Sequence, residues 1–412
     1  MKFLSLFPGK DTAQIDNIQK PMVSPEKDAT SCVSLLAKPP DLRFTKLKLI
    51  QFKNYRDETF HFHERLNCLV GLNGTGKTNV LDALHTLCMT KSKFTGQDKL
   101  LIHDQDDFYR IEGEVLDASL RRDSYVIKYA REGKKTLEKN HQNIARSIDH
   151  VGQIPLVFYS PDDHMVLSGP SAERRKLVDQ TISQADSHYL DNLMTYNRLL
   201  KHRNALLAKF QANHQVQPQL LDAIDYQMLP VGQALVTCRQ AFADEFSEQV
   251  QEKYGIIAGG KEQIAWRYRP SLKPGEMQQS WQEGRQYDIS LGRTQSGPHR
   301  DDWQVMLGNR SAKRYASQGQ MKSIMLSMRW AQWHWLKQGT TKPPLLLIDD
   351  LFDKLDEERI RHFLQLIGGL EEAQVFVTYT HPEMLQSHLD DFQMTYKMFY
   401  INEGAIVNET TK

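Results

Sequence analysis

The stretch that decides the fold is residues 66–78, which read LNCLVGLNGTGKT. Its first five residues form a short apolar run, which predicts a buried strand. The loop that follows consists of Gly71, Leu72, Asn73, Gly74, Thr75, Gly76, Lys77 and Thr78. This loop fits the phosphate-binding pattern G-x-x-x-x-G-K-[ST], and a helix is predicted from Thr78 to about Thr90. Strand, loop and helix therefore come in the order that a P-loop, or Walker A motif, requires.

The residue types in this loop match the chemistry of nucleotide binding. Glycines allow backbone N–H groups to surround a phosphate without side-chain clashes. Lys77 is expected to reach the β- and γ-phosphates as a catalytic residue, and the Thr78 hydroxyl is expected to bind Mg²⁺. The positive end of the helix dipole favours the same anion. The loop is therefore a predicted site for ATP and Mg²⁺.

A second motif supplies acidic residues. Residues 345–348 read LLLI, an apolar run typical of a buried parallel strand, and Asp349 and Asp350 follow it. Because ligands bind beyond the carboxyl ends of parallel strands, Asp349 is predicted to hold Mg²⁺, directly or through water. Asp350 is in position to polarise the attacking water and is the predicted catalytic acid–base residue. Together these residues resemble a Walker B motif.

The spacing of the two motifs narrows the fold. More than half of the chain lies between Lys77 and Asp349, and its residues 171 to about 254 show helical periodicity. ATP-binding-cassette and SMC-type ATPases have this layout, because a helical insertion splits their nucleotide-binding head. Such heads carry a signature loop before Walker B, and Ser317, Gly319 and Gln320 occupy that position. An ordinary helix-start turn is the alternative interpretation of these three residues.

Composition sets wider limits. The chain has 412 residues, a formal net charge of +1, 40% hydrophobic and 25% charged residues, which is ordinary for a globular protein. A collagen-like or wholly disordered chain is therefore excluded, and no apolar run approaches the ~18 residues of a membrane span. The four cysteines are dispersed, which predicts reduced thiols in a cytosolic protein. A net charge near zero gives no general argument for nucleic-acid binding, so any such function depends on local patches of positive charge.

Taken in order, these motifs resemble the RecF family of SMC-like DNA replication and repair proteins. The segments that carry the resemblance are LIQFKNY at 49–55, LNCLVG at 66–71, SPDD at 160–163, SGP at 168–170, RR at 174–175, GPHRDD at 297–302, SQGQ at 317–320 and the acidic block at 349–356. The resemblance runs from about Thr45 to the C-terminus. It implies an α/β fold, the ABC/SMC-type P-loop ATPase head, in which a helical lobe II is inserted into a lobe I of mixed sheet and helices.

The resemblance also implies a domain division and further nucleotide contacts. Residues 44–170 and 285–412 would be the two halves of lobe I, and 171–284 lobe II. Residues 1–43 have no counterpart in the family pattern; they mix Lys, Asp, Ser, Thr and Pro without a sustained period, which predicts a disordered extension or a start codon assigned too early. Asn54 would bind the nucleotide from the same protomer. Ser317, Gly319, Gln320 and the D-loop residue Asp356 would complete the site of a second protomer. Thr380 or His381 would be the switch residue that senses the γ-phosphate.

The function implied by the resemblance is an ATP-dependent switch of recombinational repair. Two heads would close on two ATP molecules as a homodimer and clamp DNA at a single-stranded gap. With RecO and RecR they would help to load RecA. Weak, DNA-stimulated ATP hydrolysis would release the clamp. Slow hydrolysis fits Asp350, because cassette transporters have glutamate, whose side chain is longer, at the corresponding position. The location would be the bacterial cytoplasm and nucleoid, without a membrane partner.

Two motifs depart from the family pattern. The Q-loop glutamine is expected near Val157, where no Gln occurs, and Gln153 is the nearest substitute. The D-loop reads FDKLD at 352–356, whereas the family commonly has Ser-Glu-Leu-Asp, which ends in the D-loop aspartate. The details of the two-protomer interface are therefore left open by the sequence.

The DNA-contacting residues are predicted from charge alone. The candidates are Arg121, Arg122, Arg174, Arg175, Lys201 and Arg203. Such side chains neutralise phosphates, and no aromatic residues alternate with them, so a backbone-reading, sequence-independent mode is expected. Solvated helix faces are the alternative for each of them.

Two other functions compete with the repair switch. The first is a transporter ATPase subunit, which would need a membrane partner. The second is a DNA adaptor with a vestigial nucleotide site, which the intact Lys77, Thr78, Asp349 and Asp350 disfavour.

Overall fold

The structure, a computed structural model, describes residues 40–213, 216–260, 262–350, 364, 367–370 and 372–412. The predicted extension at 1–43 lies almost wholly outside the described residues. The predicted D-loop with Asp356 also lies outside them. Three sheets and a set of long helices make up the described part of the chain.

The first sheet has six antiparallel strands. In spatial order they are β2 (Tyr55–His61), β1 (Leu42–Phe52), β4 (Phe108–Asp117), β5 (Arg122–Ala130), β6 (Thr136–Lys139) and β7 (Gln142–Asn143). Burial alternates along most of β1, so that Leu47 and Leu49 face the core while Lys46 and Lys48 lie at the surface. The alternation of apolar and polar residues in this segment is typical of a strand with one buried face.

The second sheet carries both nucleotide motifs. In spatial order its strands are β15 (Ala405–Thr411), β14 (Tyr396–Asn402), β3 (Leu66–Val70), β13 (Val375–Tyr379), β12 (Leu345–Ile348) and β8 (Leu156–Tyr159). All neighbours are parallel except β15, which pairs antiparallel with β14. Helix α1 (Lys77–Met89) contributes to a core shared by both six-stranded sheets. The carboxyl ends of β3, β13, β12 and β8 therefore meet at one edge.

The middle of the chain is mainly helical, as its periodicity predicts. Its helices are α2 (His164–Ser168), α3 (Ser171–Ala185), α4 (Ser187–Asn213), α5 (Pro218–Ala258), α6 (Met277–Glu283) and α7 (Arg285–Leu291). Helix α5 is 41 residues long and contains Pro230. A small antiparallel sheet of β11 (Arg310–Ser311), β10 (Asp302–Leu307) and β9 (Ile264–Arg269) packs against it.

Helix α9 (Gln318–Gly339) joins the helical part to the parallel sheet; the short α8 (Ala312–Tyr315) precedes it. Ile324 and Met328 of α9 belong to the core of the helical part, whereas Trp333 and Leu336 belong to the core beneath the parallel sheet. The helical core thus continues beyond residue 284, and the predicted domain boundaries stay predictions. Helix α10 (Pro382–Asp391) covers the same sheet face. No helix among the described residues is long and apolar enough to cross a membrane.

Candidate nucleotide-binding site

A cavity of about 270 Å³ lies at the edge where the parallel strands end. It is lined by Asn73, Gly74, Gly76, Lys77, Thr78, Asn79, Phe94, Ser160, Pro161, Asp162, Asp349, Asp350 and Thr378. The structure therefore brings the Walker A loop and the Walker B acids together from distant parts of the chain. It adds the segment after β8, Phe94 and Thr378, which were not assigned to the site from sequence.

Two glycines of the loop are required by its geometry. Gly76 has φ = 117° and Gly71 has φ = 152°, both in the range that favours glycine. A Cβ atom on Gly76 would lie 2.5 Å from Nδ2 of Asn54, and one on Gly71 would lie 2.3 Å from the carbonyl oxygen of Ile401. The backbone can take this path only because these positions carry no side chain.

Residues after β1 and β14 brace the loop. Asn54 Nδ2 donates to the carbonyl oxygen of Thr75 (2.9 Å), and the Tyr55 hydroxyl donates to that of Gly76 (3.0 Å). The N–H of Gly404 also donates to the Thr75 carbonyl (3.0 Å). Asn54 does not line the cavity but supports the loop, and its predicted contact with the nucleotide stays a prediction.

Lys77 is held by its own loop. Its Nζ donates to the carbonyl oxygens of Gly71 and Leu72, each at 2.7 Å. Burial lowers the pKa of the Lys77 ammonium, while the nearby carboxylates of Asp350 and Asp349 oppose this shift. The cation therefore already sits inside the loop, where an incoming phosphate would find a charged partner.

Asp349 meets Thr78 at the end of β12, as a metal site requires. The Thr78 hydroxyl donates to Asp349 Oδ1 (2.8 Å), and the Thr378 hydroxyl donates to the same oxygen (2.8 Å). Burial raises the pKa of Asp349, whereas these two hydrogen bonds lower it. A hydroxyl and a carboxylate oxygen side by side suit Mg²⁺, which takes its other ligands from water and phosphates.

Asp350 lines the cavity next to Asp349 and has an unusual backbone. Its φ is 46°, in the left-handed region, and its N–H donates to Thr378 Oγ1 (2.8 Å). Asp350 is half-buried and lines the cavity, and its predicted role in polarising water stays a prediction. One sequence signal could have identified Thr378, because it is a lone hydroxyl residue in the otherwise apolar run at 375–378.

The predicted Q-loop residues lie away from the cavity. Val157 is buried in the core beneath the parallel sheet, and Gln153 is exposed in a turn before β8. At the end of β8, the cavity is instead lined by Ser160, Pro161 and Asp162. The segment that resembles the family at 160–163 thus reaches the site, although no glutamine does.

The predicted signature and switch residues do not line this cavity. Ser317 caps α9 in a reciprocal arrangement: its hydroxyl accepts from the Gln320 N–H (3.2 Å), and its own N–H donates to Gln320 Oε1 (2.7 Å). Ser317 is exposed and Gly319 is half-buried. Thr380 is half-buried, and His381 is exposed and lies against the ring of Tyr379. Within β13, the residue that contacts both Asp349 and Asp350 is Thr378.

Two of the predicted DNA contacts are corrected by the structure. Arg203 is fully buried, with Nε 2.7 Å from Asp225 and Nη1 2.6 Å from Asp288. Arg174 is buried and pairs with Asp302 at 2.7 Å. Neither guanidinium group can reach a DNA phosphate in this structure, because each is enclosed by its partners.

The other four DNA candidates are more accessible. Arg175 is half-buried and donates to the carbonyl oxygen of Asp301 (2.7 Å). Arg121 immediately precedes β5 and Arg122 is its first residue; both are exposed, and they pair with Asp123 and Glu114, respectively. Lys201 is exposed on α4 and belongs to a basic stripe whose members are Arg198, Lys201, His202 and Lys209. The helical spacing of these four residues is the sequence signal that could have found the stripe.

Known proteins match this chain over most of its length. The family model described as RecF/RecN/SMC N terminal domain matches residues 43–406. The DNA replication and repair protein RecF of Bacteroides fragilis is 35% identical over 363 residues, which are 88% of this chain and 97% of that protein. The protein of the same name from Flavobacterium johnsoniae is 34% identical over 358 residues, 87% of this chain and 99% of that protein.

A solved structure resembles the fold as a whole. It is the recombination mediator protein RecF-ATP in the RecFOR pathway, with a TM-score of 0.82, 91% of this chain and 98% of that chain covered, and 23% sequence identity. At this identity the likeness concerns the fold.

Proposed function

The chain belongs to the RecF family of DNA replication and repair proteins and has the predicted α/β fold of an ABC/SMC-type ATPase head, and from this premise we propose that it is an ATP-driven DNA clamp. In this proposal two protomers close around two molecules of ATP and Mg²⁺ and hold DNA at a single-stranded gap. Slow hydrolysis then releases the DNA. RecO and RecR are the proposed partners in loading RecA, because the solved relative is described as a mediator of the RecFOR pathway.

One observation carries the nucleotide part of the proposal. The hydroxyl of Thr78 and the carboxylate of Asp349 come from opposite ends of the chain and lie 2.8 Å apart beside Lys77 in one cavity. When ATP and Mg²⁺ are bound, Lys77 would contact the terminal phosphates, and Thr78 and Asp349 would hold the metal, which supplies charge stabilisation. Asp350 would orient the attacking water.

The position of the signature residues supports a second protomer. Ser317 begins a 22-residue helix, and its N-terminal N–H groups favour an anion, yet Ser317 and Gly319 lie outside their own cavity. We propose that they cover the terminal phosphate of the nucleotide bound by the partner. Lobe I, in this proposal, binds the nucleotide, and lobe II, proposed at 171–284, carries the basic stripe of α4 toward DNA.

Light scattering tests the proposal through ATP-dependent dimerisation. Lys77→Met is expected to abolish both ATP binding and the dimer, whereas Ser317→Arg is expected to bind ATP and stay monomeric. Ser187→Arg is the matched control, because Ser187 is another exposed serine at the start of a helix. A Ser317→Arg protein that dimerises like the unmodified protein would refute the two-protomer site.

The alternative functions lead to different results. Family membership disfavours the transporter subunit. The adaptor with a vestigial nucleotide site predicts ATP-independent DNA binding and no hydrolysis in the presence of DNA, and this outcome would replace the clamp proposal.

A further inference from the structure

We propose that Thr378 is a positioning residue, whose one hydroxyl group holds both the metal-binding carboxylate and the backbone of the residue that activates water. The inference rests on the proposed function, because it assigns a role within that site. Thr378 lies beside Asp349 because β13 and β12 are parallel neighbours, with Val377 opposite Ile348. The next residues along the two strands are Thr378 and Asp349.

The hydrogen bonds of Thr378 define the role. Its Oγ1 donates to Asp349 Oδ1 (2.8 Å) and accepts from the Asp350 N–H (2.8 Å). A hydroxyl group has one proton to donate, so accepting from Asp350 leaves that proton for Asp349. Thr378 is fully buried, and both of its side-chain bonds therefore go to the two acids of the cavity.

The backbone of Asp350 explains why such a support is needed. A residue other than glycine stays in the left-handed region only where its surroundings hold it there. Asp350 has φ = 46°, and the bond from its N–H to Thr378 ties this backbone to β13. The same conformation directs the chain so that the Asp350 side chain lines the cavity.

A purely structural role for Thr378 fits the sequence less well. The run at 375–377 is Val-Phe-Val, and valine would fill the place of Thr378 with the same shape. Burying a hydroxyl without using its hydrogen bonds costs stability, so a buried threonine in an apolar strand indicates that the hydroxyl is used. Here its side-chain partners among the described residues are Asp349 and Asp350.

Thr378→Val and Thr378→Ser separate the hydroxyl from the side-chain shape. In the valine variant kcat for Mg²⁺-dependent ATP hydrolysis is expected to fall about ten- to one-hundred-fold, which is the effect of one lost buried partner. KM is expected to change by less than about threefold, because Lys77 and the loop remain. The serine variant is expected to keep kcat within about threefold of the unmodified protein.

A second measurement needs neither metal nor nucleotide. The amide hydrogen of Asp350 is expected to exchange with solvent about tenfold faster in Thr378→Val, because it loses its acceptor, and at the normal rate in Thr378→Ser. If the unmodified protein hydrolyses no ATP, the proposed function fails, whereas the amide exchange still decides whether Thr378 holds Asp350.

Thr181→Val is the matched control. Thr181 is also fully buried, and its hydroxyl likewise donates once, to the Leu177 carbonyl, and accepts once, from Gln332 Nε2. This variant is expected to lose thermal stability without a change in kcat or in Asp350 exchange. The inference is overturned if Thr378→Val keeps both kcat and amide protection, or if Thr378→Ser loses as much as Thr378→Val.

Discussion

Two pairs of adjacent aspartates, Asp301–Asp302 and Asp349–Asp350, look alike in sequence but have different surroundings. Asp301 accepts from Arg239 Nη1 (2.7 Å), from the Ser271 N–H (2.8 Å) and from the Tyr268 hydroxyl. Asp302 accepts two bonds from the Arg174 guanidinium, at 2.7 and 3.3 Å. In the first pair, arginine side chains of the protein itself neutralise both acids.

The first acid of the second pair, Asp349, has different partners. It accepts from the hydroxyls of Thr78 and Thr378, and no Lys or Arg of the described residues forms an ion pair with it. Burial raises the pKa of this carboxylate, as it also raises that of Asp301, so the two pairs differ in their partners and not in this shift. Removing one partner of a buried ion pair leaves the other charge uncompensated, whereas a buried carboxylate that accepts from hydroxyls can still accept a cation. We therefore expect the first pair to act in the fold and the second to belong to a ligand site.

The largest expected effect is that of Asp301→Asn. Breaking a buried ion pair from one side leaves a buried charge without compensation, which costs about 3–5 kcal/mol. Arg239 is 2% exposed and, among the residues that the structure describes, would keep Asp179 as its one anionic ion-pair partner. We expect the free energy of unfolding to fall by about 3 kcal/mol, measured by urea unfolding followed through tryptophan fluorescence. An unchanged unfolding midpoint would contradict the structural role.

A smaller loss is expected for Asp302→Asn. The Asp302 side chain is 39% exposed, so water compensates part of the lost charge, and Arg174 keeps its bonds to the carbonyl oxygens of Val166 and Gly169. The free energy of unfolding should fall by about 1 kcal/mol in the same experiment. If Asp302→Asn lowered the free energy of unfolding as much as Asp301→Asn, the different burial of the two aspartates would not explain their contributions to stability.

The sequence was sufficient for the local parts of the site and insufficient for the contacts between distant residues. The glycine loop and the acids after an apolar strand are local patterns, and both were predicted. Whether an arginine is exposed depends on partners far along the chain, and Asp288, which encloses Arg203, is 85 residues away. Because the prediction used charge and had no information on burial, it included Arg203 among the DNA contacts.

The register of the parallel sheet was the other missing information. The sequence placed the switch at Thr380 or His381, after the strand, because that is where the family pattern puts it. Which residue of β13 meets Asp349 depends on the alignment of β13 with β12, and this alignment selects Thr378. Strand order and register arise from the packing of the whole core, so no single segment encodes them.

The smallest expected effect on stability is that of Asp349→Asn, the same chemical change as Asp301→Asn in the other pair. Because the folded-state pKa of Asp349 is raised above its ordinary value of 3.8, the folded protein binds this proton more tightly than the unfolded chain. Stability contributed by protonated Asp349 is therefore lost as the pH rises through the folded pKa. The pKa of Asp301 is raised too, but replacing Asp301 removes an ion-pair partner of the buried Arg239. Asp349 has no ion pair with a Lys or Arg of the described residues, and an asparagine at this position cannot ionise, so this variant should be at least as stable as the unmodified protein at pH 7.

The same variant should lose the dependence of ATP affinity on Mg²⁺, because an amide is a weaker ligand for this ion than a carboxylate. Unfolding by urea at a series of pH values and nucleotide titration with and without Mg²⁺ would measure the two effects. A variant destabilised as strongly as Asp301→Asn would mean that Asp349 stabilises the fold in the way that Asp301 does. A stable variant whose ATP affinity no longer depends on Mg²⁺ would support the proposed difference between the pairs, in which Asp301 pairs with an arginine of the chain and Asp349 binds a cation from outside it.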